Sequence, residues 1–343
     1  MTPRERVLAS LRFEPTDRPA CDLMEGFVWE ELMEFFRATR GLGTAEQVQD
    51  FLATDFRWIG LRYQGPGADA KPAPAGDGST KPRTGQFASG PLSEATTIAD
   101  VEGHAWPDPA WWQPEDFASA RQKWPQYALV FGHSWMPLFW SACIAFGMAN
   151  ALVAMHTMPA VFEAFVARQH ALYMDILRRS LCAARGVCDA CWLGDDYASQ
   201  ENLLFSPELW RKLIKPYLAE QVALARHHGL HVLFHSCGNI RPILPDLIDI
   251  GVSAHLVFQT SARGMDAESV ARDFGGRMAF YGGVDIQRVL SFATVEEVKR
   301  TVRANLKAFE RCGGYVVANS HHRVATIRGE NVEAMFAAAR EAR

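Results

Sequence analysis

Residues 231–239 read His231-Val-Leu-Phe-His235-Ser236-Cys237-Gly238-Asn239, an apolar run that ends in a histidine and a cysteine one residue apart. On a β-strand, residues i and i+2 face the same side, so His235 Nε2 and Cys237 Sγ can close on one zinc ion while Ser236 points away. Gly238-Asn239 supplies the turn that follows. The same residues also read as a plain core strand, with its histidine hydrogen-bonded and its cysteine packed as a small hydrophobe. What the other segments bring to the end of this strand decides between the two.

Seven further segments have the same form. Upstream lie Ala20-Cys-Asp-Leu-Met-Glu25-Gly26, the alternating run Phe56–Tyr63, Ala128–Trp135 with His133 near its end, and Ala190–Tyr197 with Asp195 and Asp196 at its end. Downstream lie Ser253–Thr260 with Gln259, Met278–Asp285, and Gly314–His322, which carries Asn319 and His321. Between them, apolar residues at three- and four-residue spacing predict helices over 29–38, 45–53, 137–156, 158–185, 207–228, 242–249, 266–274, 294–311 and 330–343. Thr2–Phe13 adds an N-terminal helix, and Ser206-Pro207 is a helix start with Ser206 as its cap. Eight strands alternating with helices predict a (β/α)8 TIM barrel, a single domain over 1–343 with an N-terminal helical extension. Residues 64–91, rich in Gly, Pro, Ala, Lys and Ser, read as an inserted loop.

Composition agrees. A chain of 343 residues with 48% hydrophobic and 22% charged residues buries an ample core, and a formal charge of −4 argues against nucleic acid as the partner. No run of eighteen apolar residues occurs, and Met1-Thr-Pro-Arg-Glu-Arg6 has no apolar segment behind it, so neither a membrane span nor a leader is expected. Seven cysteines, an odd number in apolar surroundings, suit reduced thiols and a cytoplasmic location. Cys188-Asp-Ala-Cys191 leads into a strand rather than opening a helix, and reads as core packing.

In a barrel the C-terminal strand ends converge on one mouth. Glu25, His133, Asp195, Asp196, His235, Cys237, Gln259, Asn319 and His321 are therefore expected to meet there. A catalytic zinc site needs three protein ligands and an open position, and His321, leaving the eighth strand, is the best third ligand for His235 and Cys237. His322 and Cys312 are the alternatives, Cys312 being the poorer because it precedes the strand and falls at the opposite end. Asp195 and Asp196 are candidates for general base, for fixing a ligating histidine, or for binding loop amides, and Glu25 is a further candidate catalytic residue. His133, Tyr197, Gln259 and Asn319 are candidate substrate contacts.

The order of several short motifs resembles the uroporphyrinogen decarboxylase superfamily, and within it the corrinoid-linked zinc methyltransferases. They are Arg4-Glu-Arg6-Val7 with Asp17-Arg18-Pro19, Trp106-Pro-Asp-Pro109, Gly194-Asp-Asp-Tyr197, Phe205-Ser-Pro-Glu208, Pro216-Tyr217, His235-Ser-Cys-Gly238, Gly264-Met-Asp266 and Gly282-Gly-Val-Asp285. True decarboxylases of the superfamily carry an arginine-rich stretch after the first strand that grips carboxylates. Here Met24-Glu-Gly-Phe-Val-Trp-Glu-Glu31 is acidic and aromatic, and would repel them. The resemblance implies zinc held by His235 and Cys237, and cobalamin carried by a partner corrinoid protein. In the methyltransferases the third ligand is commonly a cysteine leaving strand eight, where this chain has Asn319-Ser-His321-His322.

That departure has a chemical consequence. Two neutral imidazoles and one thiolate leave a Zn²⁺ centre with a net charge of about +1, whereas two thiolates and one imidazole leave it neutral. The cationic centre better polarises an oxygen so that it can leave, which points to demethylation of a small methylated substrate such as a methoxy compound. A methylcobalamin:thiol methyltransferase, a metal-free decarboxylase or lyase, and a non-catalytic binding barrel stay open as alternatives, as does pairing of barrels in a homodimer.

Overall fold

The computed structural model describes residues 1–66, 89–132, 135–322 and 326–342. Its main sheet contains eight strands: β1 (Ala20–Cys21), β2 (Phe56–Ile59), β3 (Ala128–Phe131), β4 (Ala190–Gly194), β5 (His231–His235), β6 (Ala254–Phe258), β7 (Ala279–Val284) and β8 (Tyr315–Asn319). All neighbours are parallel, in the order β1-β8-β7-β6-β5-β4-β3-β2. The end strands meet through Asp55, whose backbone N–H donates to the Cys21 carbonyl and whose Oδ2 accepts the Cys21 N–H, each at 2.8 Å. The sheet is thus a nearly closed (β/α)8 barrel, with helices packed around it.

Period-two alternation sorts the strand residues into two cores. Phe56, Val130, Trp192, Leu233, Leu256 and Tyr281 fill the barrel interior. Their neighbours, among them Phe131, Cys191, Phe234 and Val317, pack outward against the helices. The N-terminal helix Pro3–Leu11, capped by Thr2, places Val7 and Leu11 in the interior cluster and so stops the N-terminal end of the barrel.

The run Phe56–Tyr63 is not one strand. Its alternation continues through Gly60, but the chain leaves the barrel there, because Gly60 is held by Glu115: the Gly60 N–H donates to Glu115 Oε2 at 2.9 Å and its carbonyl accepts the Glu115 N–H. Leu61–Tyr63 then pairs antiparallel with Trp112–Pro114 in a separate ribbon. The helix expected over 137–156 is two, Phe139–Phe146 and Met148–Thr157, set at 108° about Gly147. That over 207–228 likewise divides at Ile214. No single described helix is long and apolar enough to cross a membrane. His133 and residues 67–88 of the segment read as an inserted loop lie outside the described residues.

Candidate metal centre

Strand β5 delivers His235 to the mouth, and the turn after it delivers Cys237, with His235 Nε2 and Cys237 Sγ 3.7 Å apart. The turn after β8 brings in His321. Among the described residues, these three side chains place ligand atoms within 4.8 Å of one another. His235 is buried, while Cys237 and His321 are partly open to the mouth.

Behind these three side chains sits Glu25, buried on the short turn Met24–Gly26 with φ of 54°, a left-handed conformation unusual for a residue with a side chain. Its Oε1 lies 2.5 Å from His235 Nδ1 and accepts the Trp192 indole N–H at 2.9 Å; its Oε2 bonds His322 Nε2. A carboxylate on Nδ1 fixes the histidine tautomer and turns the Nε2 lone pair towards Cys237, as in carboxylate–histidine–metal sites. Burial alone would raise the Glu25 carboxyl, but the charges of His235 and His322 outweigh it and hold it well below the usual range. Conversely, burial disfavours charge on His235, and Glu25 outweighs that and raises its pKa. Burial, with His322 and His235 nearby, lowers His321 to about 3, so its ring is neutral at ordinary pH. Burial and then Asp196 push the Cys237 thiol well up, and a cation in this position would supply the positive charge its thiolate lacks.

The geometry distinguishes the two histidines of the β8 turn. His322 is engaged by Glu25, whereas His321 Nδ1 accepts the His322 N–H at 2.8 Å. Asn319, fully buried, ties this turn to the Glu25 turn: its Oδ1 accepts the Met24 N–H at 2.9 Å and its Nδ2 donates to the carbonyls of His321 and His322. Cys312, below strand β8, belongs to the outer packing around Phe309, away from the mouth.

The aspartate pair divides. Asp195 accepts from the amides of Leu138, Phe139, Trp140 and Asp196 at 2.7–3.1 Å, satisfying the first turn of helix Phe139–Phe146. Burial pushes its carboxyl up to about 7 against the pull of those amides. Asp196 accepts the Cys237 N–H at 2.8 Å, and its Oδ1 is 3.8 Å from His235 Nε2, with the side chain still 21% exposed. Of the remaining candidates, Gln259 holds the Cys237 turn, its Oε1 accepting the Gly238 N–H at 2.8 Å. A register shift in β6 between Leu256 and Phe258 gives Val257 a second inward place, which carries Gln259 to the inner side. Tyr197 is buried among Phe139, Phe205, Trp210 and Phe234.

Two groups near the site were not anticipated. Trp135 and Trp192 flank the His235 ring edge to face at 5.2 and 5.8 Å. Below them Asp22 Oδ2 accepts from Trp58 Nε1 and Tyr281 Oη, both at 2.8 Å. Burial pushes the Asp22 carboxyl up to about 7. The sequence signal for the first group is a tryptophan in or just after strands three and four. A cavity of about 350 Å³ lies beside Trp135, between the Leu61–Tyr63 ribbon and helix Pro159–Ala184; one of about 470 Å³, among Ser10, Arg18, Lys307 and Tyr315, lies at the N-terminal end of the barrel.

The chain covers 99% of, and is covered to 99% by, a methyltransferase from Methanosarcina mazei, with a TM-score of 0.69 and 19% sequence identity, a likeness of fold. No curated protein sequence matches it. The description that does match by sequence is that of uroporphyrinogen decarboxylase (URO-D), over residues 118–342, a span that contains β3 to β8 and with them His235, Cys237, His321 and the aspartate pair. On that match the chain belongs to the URO-D family.

Proposed function

We propose that the chain is a zinc-dependent methyltransferase that moves a methyl group between a small methylated substrate and the cobalt of a partner corrinoid protein. The observation that carries this reading is the convergence of His235, Cys237 and His321, with Glu25 on the far nitrogen of His235. Two imidazoles and a thiolate facing an open mouth suit Zn²⁺ in a catalytic arrangement. Bound there, zinc would supply a Lewis acid for the heteroatom that carries the methyl group.

The chain's own residues do the rest. Glu25 orients His235 and balances charge. Trp135 and Trp192 keep water from the face of the ring. Asp196, partly exposed beside the ligands, is the carboxyl placed to pass a proton to the leaving heteroatom, a task that Asp195 cannot share while four amides occupy it. In the demethylating direction the methyl–heteroatom bond breaks with its electron pair staying on the heteroatom. A reduced corrinoid carried by the partner would supply the electron pair that takes up the methyl carbon. The acidic, aromatic stretch Met24–Glu31 and the likeness to a methyltransferase favour this over decarboxylation of a polycarboxylate.

Zinc is measured in the native protein and in His235→Ala, Cys237→Ser, His321→Ala and His322→Ala. Loss in the first three and retention in the last is expected; native protein that carries no zinc and gains none on addition sinks the site. Methyl transfer to added cob(I)alamin from methoxylated, methylamine and methylthiol donors then tests the reaction. Transfer only from methylcobalamin to thiols would reverse the direction, and none in either direction would remove the methyltransferase reading.

A further inference from the structure

We infer that Tyr281 is a positioning residue for the metal centre: its hydroxyl holds the left-handed turn that carries Glu25, and so aims the Glu25 carboxylate at His235. This rests on the metal-centre reading above and adds to it the group that keeps the supporting acid in place.

The turn needs to be held. Glu25 has φ of 54° and Gly26 of 67°, so two successive residues are left-handed, and only the glycine is so without steric cost. A Glu25 that relaxed to the right-handed or extended region would carry its carboxylate away from His235. Three amide hydrogen bonds oppose that relaxation. The Met24 N–H donates to Asn319 Oδ1 at 2.9 Å, the Glu25 N–H to Tyr281 Oη at 3.2 Å, and the Gly26 N–H to the Leu23 carbonyl at 2.8 Å. Of these, the Tyr281 hydroxyl is the one that takes the backbone of Glu25 itself.

Sequence and packing fix where this hydroxyl lies. Tyr281 follows Ala279 on the inward face of β7, with Phe280 between them packed outward. Strand β8 separates β7 from β1, so a side chain as long as tyrosine is required to span the interior to the turn after β1. The ring is fully buried and meets Phe56 edge to face at 5.5 Å. Burial, with Asp22 beside it, holds the phenol well above its usual pKa, so the oxygen keeps its proton. That proton has two acceptors within reach, Asp22 Oδ2 at 2.8 Å and the Leu23 carbonyl at 3.0 Å, both on the segment that leads into Glu25. One hydroxyl thus donates to the chain just before Glu25 and accepts from Glu25, and donating makes its oxygen the better acceptor. Asp22 is held from its other side by Trp58 Nε1 at 2.8 Å. Trp58 in turn lies so close to Gly26 that a Cβ there would sit 2.4 Å from Trp58 Cδ1. The turn is therefore clamped on both flanks, and its free end presents Glu25 Oε1 to His235 Nδ1 and Trp192 Nε1.

The test compares Tyr281→Phe with Tyr315→Phe. Each removes one buried hydroxyl and keeps its ring, but the Tyr315 hydroxyl bonds the Gly282 carbonyl and Asn305 in the outer core. Melting temperatures report that both variants are folded, and zinc affinity of the full chain is read by competition with a chromophoric chelator. Tyr281→Phe is expected to bind zinc about tenfold more weakly than the native chain, the low end of what loss of a supporting partner costs, while Tyr315→Phe binds it as the native chain does. A second readout needs no metal. In the proton spectrum of the zinc-free chain, the Nδ1 proton between His235 and Glu25 gives a downfield resonance that His235→Ala removes. It should persist in Tyr315→Phe and be lost or moved upfield in Tyr281→Phe. A resonance absent from the native chain or unmoved in Tyr281→Phe, or a zinc affinity lowered in neither variant or equally in both, overturns the inference. Failure here is separable from failure of the metal-centre reading. A native chain that takes up no zinc ends that reading, and the resonance alone then decides whether Tyr281 holds Glu25; zinc binding that is native in Tyr281→Phe ends the inference and leaves the centre standing.

Discussion

Glu25 and His235 are joined through Nδ1 at 2.5 Å, while the other oxygen of the same carboxylate is given to His322. One buried acid thereby turns Nε2 of His235 towards Cys237 and holds the neighbouring His322 ring on its own second oxygen. Glu25→Gln keeps the size of the side chain but cannot accept from both histidines. Zinc affinity, measured by competition with a chromophoric chelator, is expected to fall about 10- to 100-fold, the range seen when such supporting carboxylates are removed. An unchanged affinity would mean that Glu25 is only a buried partner of two histidines.

The contrast between Asp195 and Asp196 yields a second expectation. Asp195→Ala leaves three amides at the start of helix Phe139–Phe146, and that of Asp196, without their acceptor, and should cost roughly 3 kcal/mol of stability. Asp196→Asn keeps an acceptor for the Cys237 N–H but carries no titratable proton. It should fold and bind zinc like the native chain while methyl transfer slows by about 100-fold or more. Thermal unfolding and single-turnover rates separate the two; an Asp196→Asn protein that turns over normally would free Asp196 of any proton role.

Much of this was legible in the sequence, and the limits have physical causes. All eight barrel strands could be read because their buried faces leave apolar runs closed by polar residues. His-x-Cys at the end of β5 is local, so its spacing alone brought the two side chains together. The end of β2 was misread because alternation does not reveal that Glu115, far along the chain, holds Gly60 and turns Leu61–Tyr63 into another ribbon. The separation of Asp195 from Asp196 was equally hidden, since adjacent identical residues differ only in that residues 138–140 reach one and Cys237 the other. Trp135 carried no recognisable motif, and its place against His235 depends on the absence of a side chain at Gly194.

Zinc binding should be felt at a backbone amide. The His322 N–H donates to His321 Nδ1 at 2.8 Å, so the neutral ring carries its proton on Nε2. A metal bound through Nδ1 takes that lone pair, and one bound through Nε2 sends the proton to Nδ1; either way the amide loses its acceptor. Hydrogen exchange at His322 should therefore quicken on zinc addition, while the Cys237 amide, held by Asp196 Oδ1, stays protected. Exchange at His322 that is unchanged or slower with zinc would exclude His321 as the third ligand in this ring orientation.

The last expectation concerns pH and a histidine outside the mouth. His255 on β6 is fully buried, sits beside Phe280 of β7 in register, and has no well-formed hydrogen bond on either ring nitrogen among the described residues, with the Phe234 backbone giving its charged form only weak support. Burial, reinforced by the charge of His235, lowers its pKa from 6.5 to about 3. The folded chain therefore keeps His255 neutral where the unfolded chain takes up a proton. Below pH about 6.5 the unfolded state binds more protons, so stability falls as pH falls, by about 1.4 kcal/mol per pH unit for this one group until pH about 3. Above that window the histidine is neutral in both states and contributes no slope. His255→Leu removes the titration and keeps an apolar contact with Phe280. Its melting temperature should drop less than that of the native chain between pH 7.5 and pH 5, and the advantage should vanish at pH 8. Parallel pH profiles for the two proteins would mean that the buried ring accepts a proton in the folded state, through a partner or a water that reaches it.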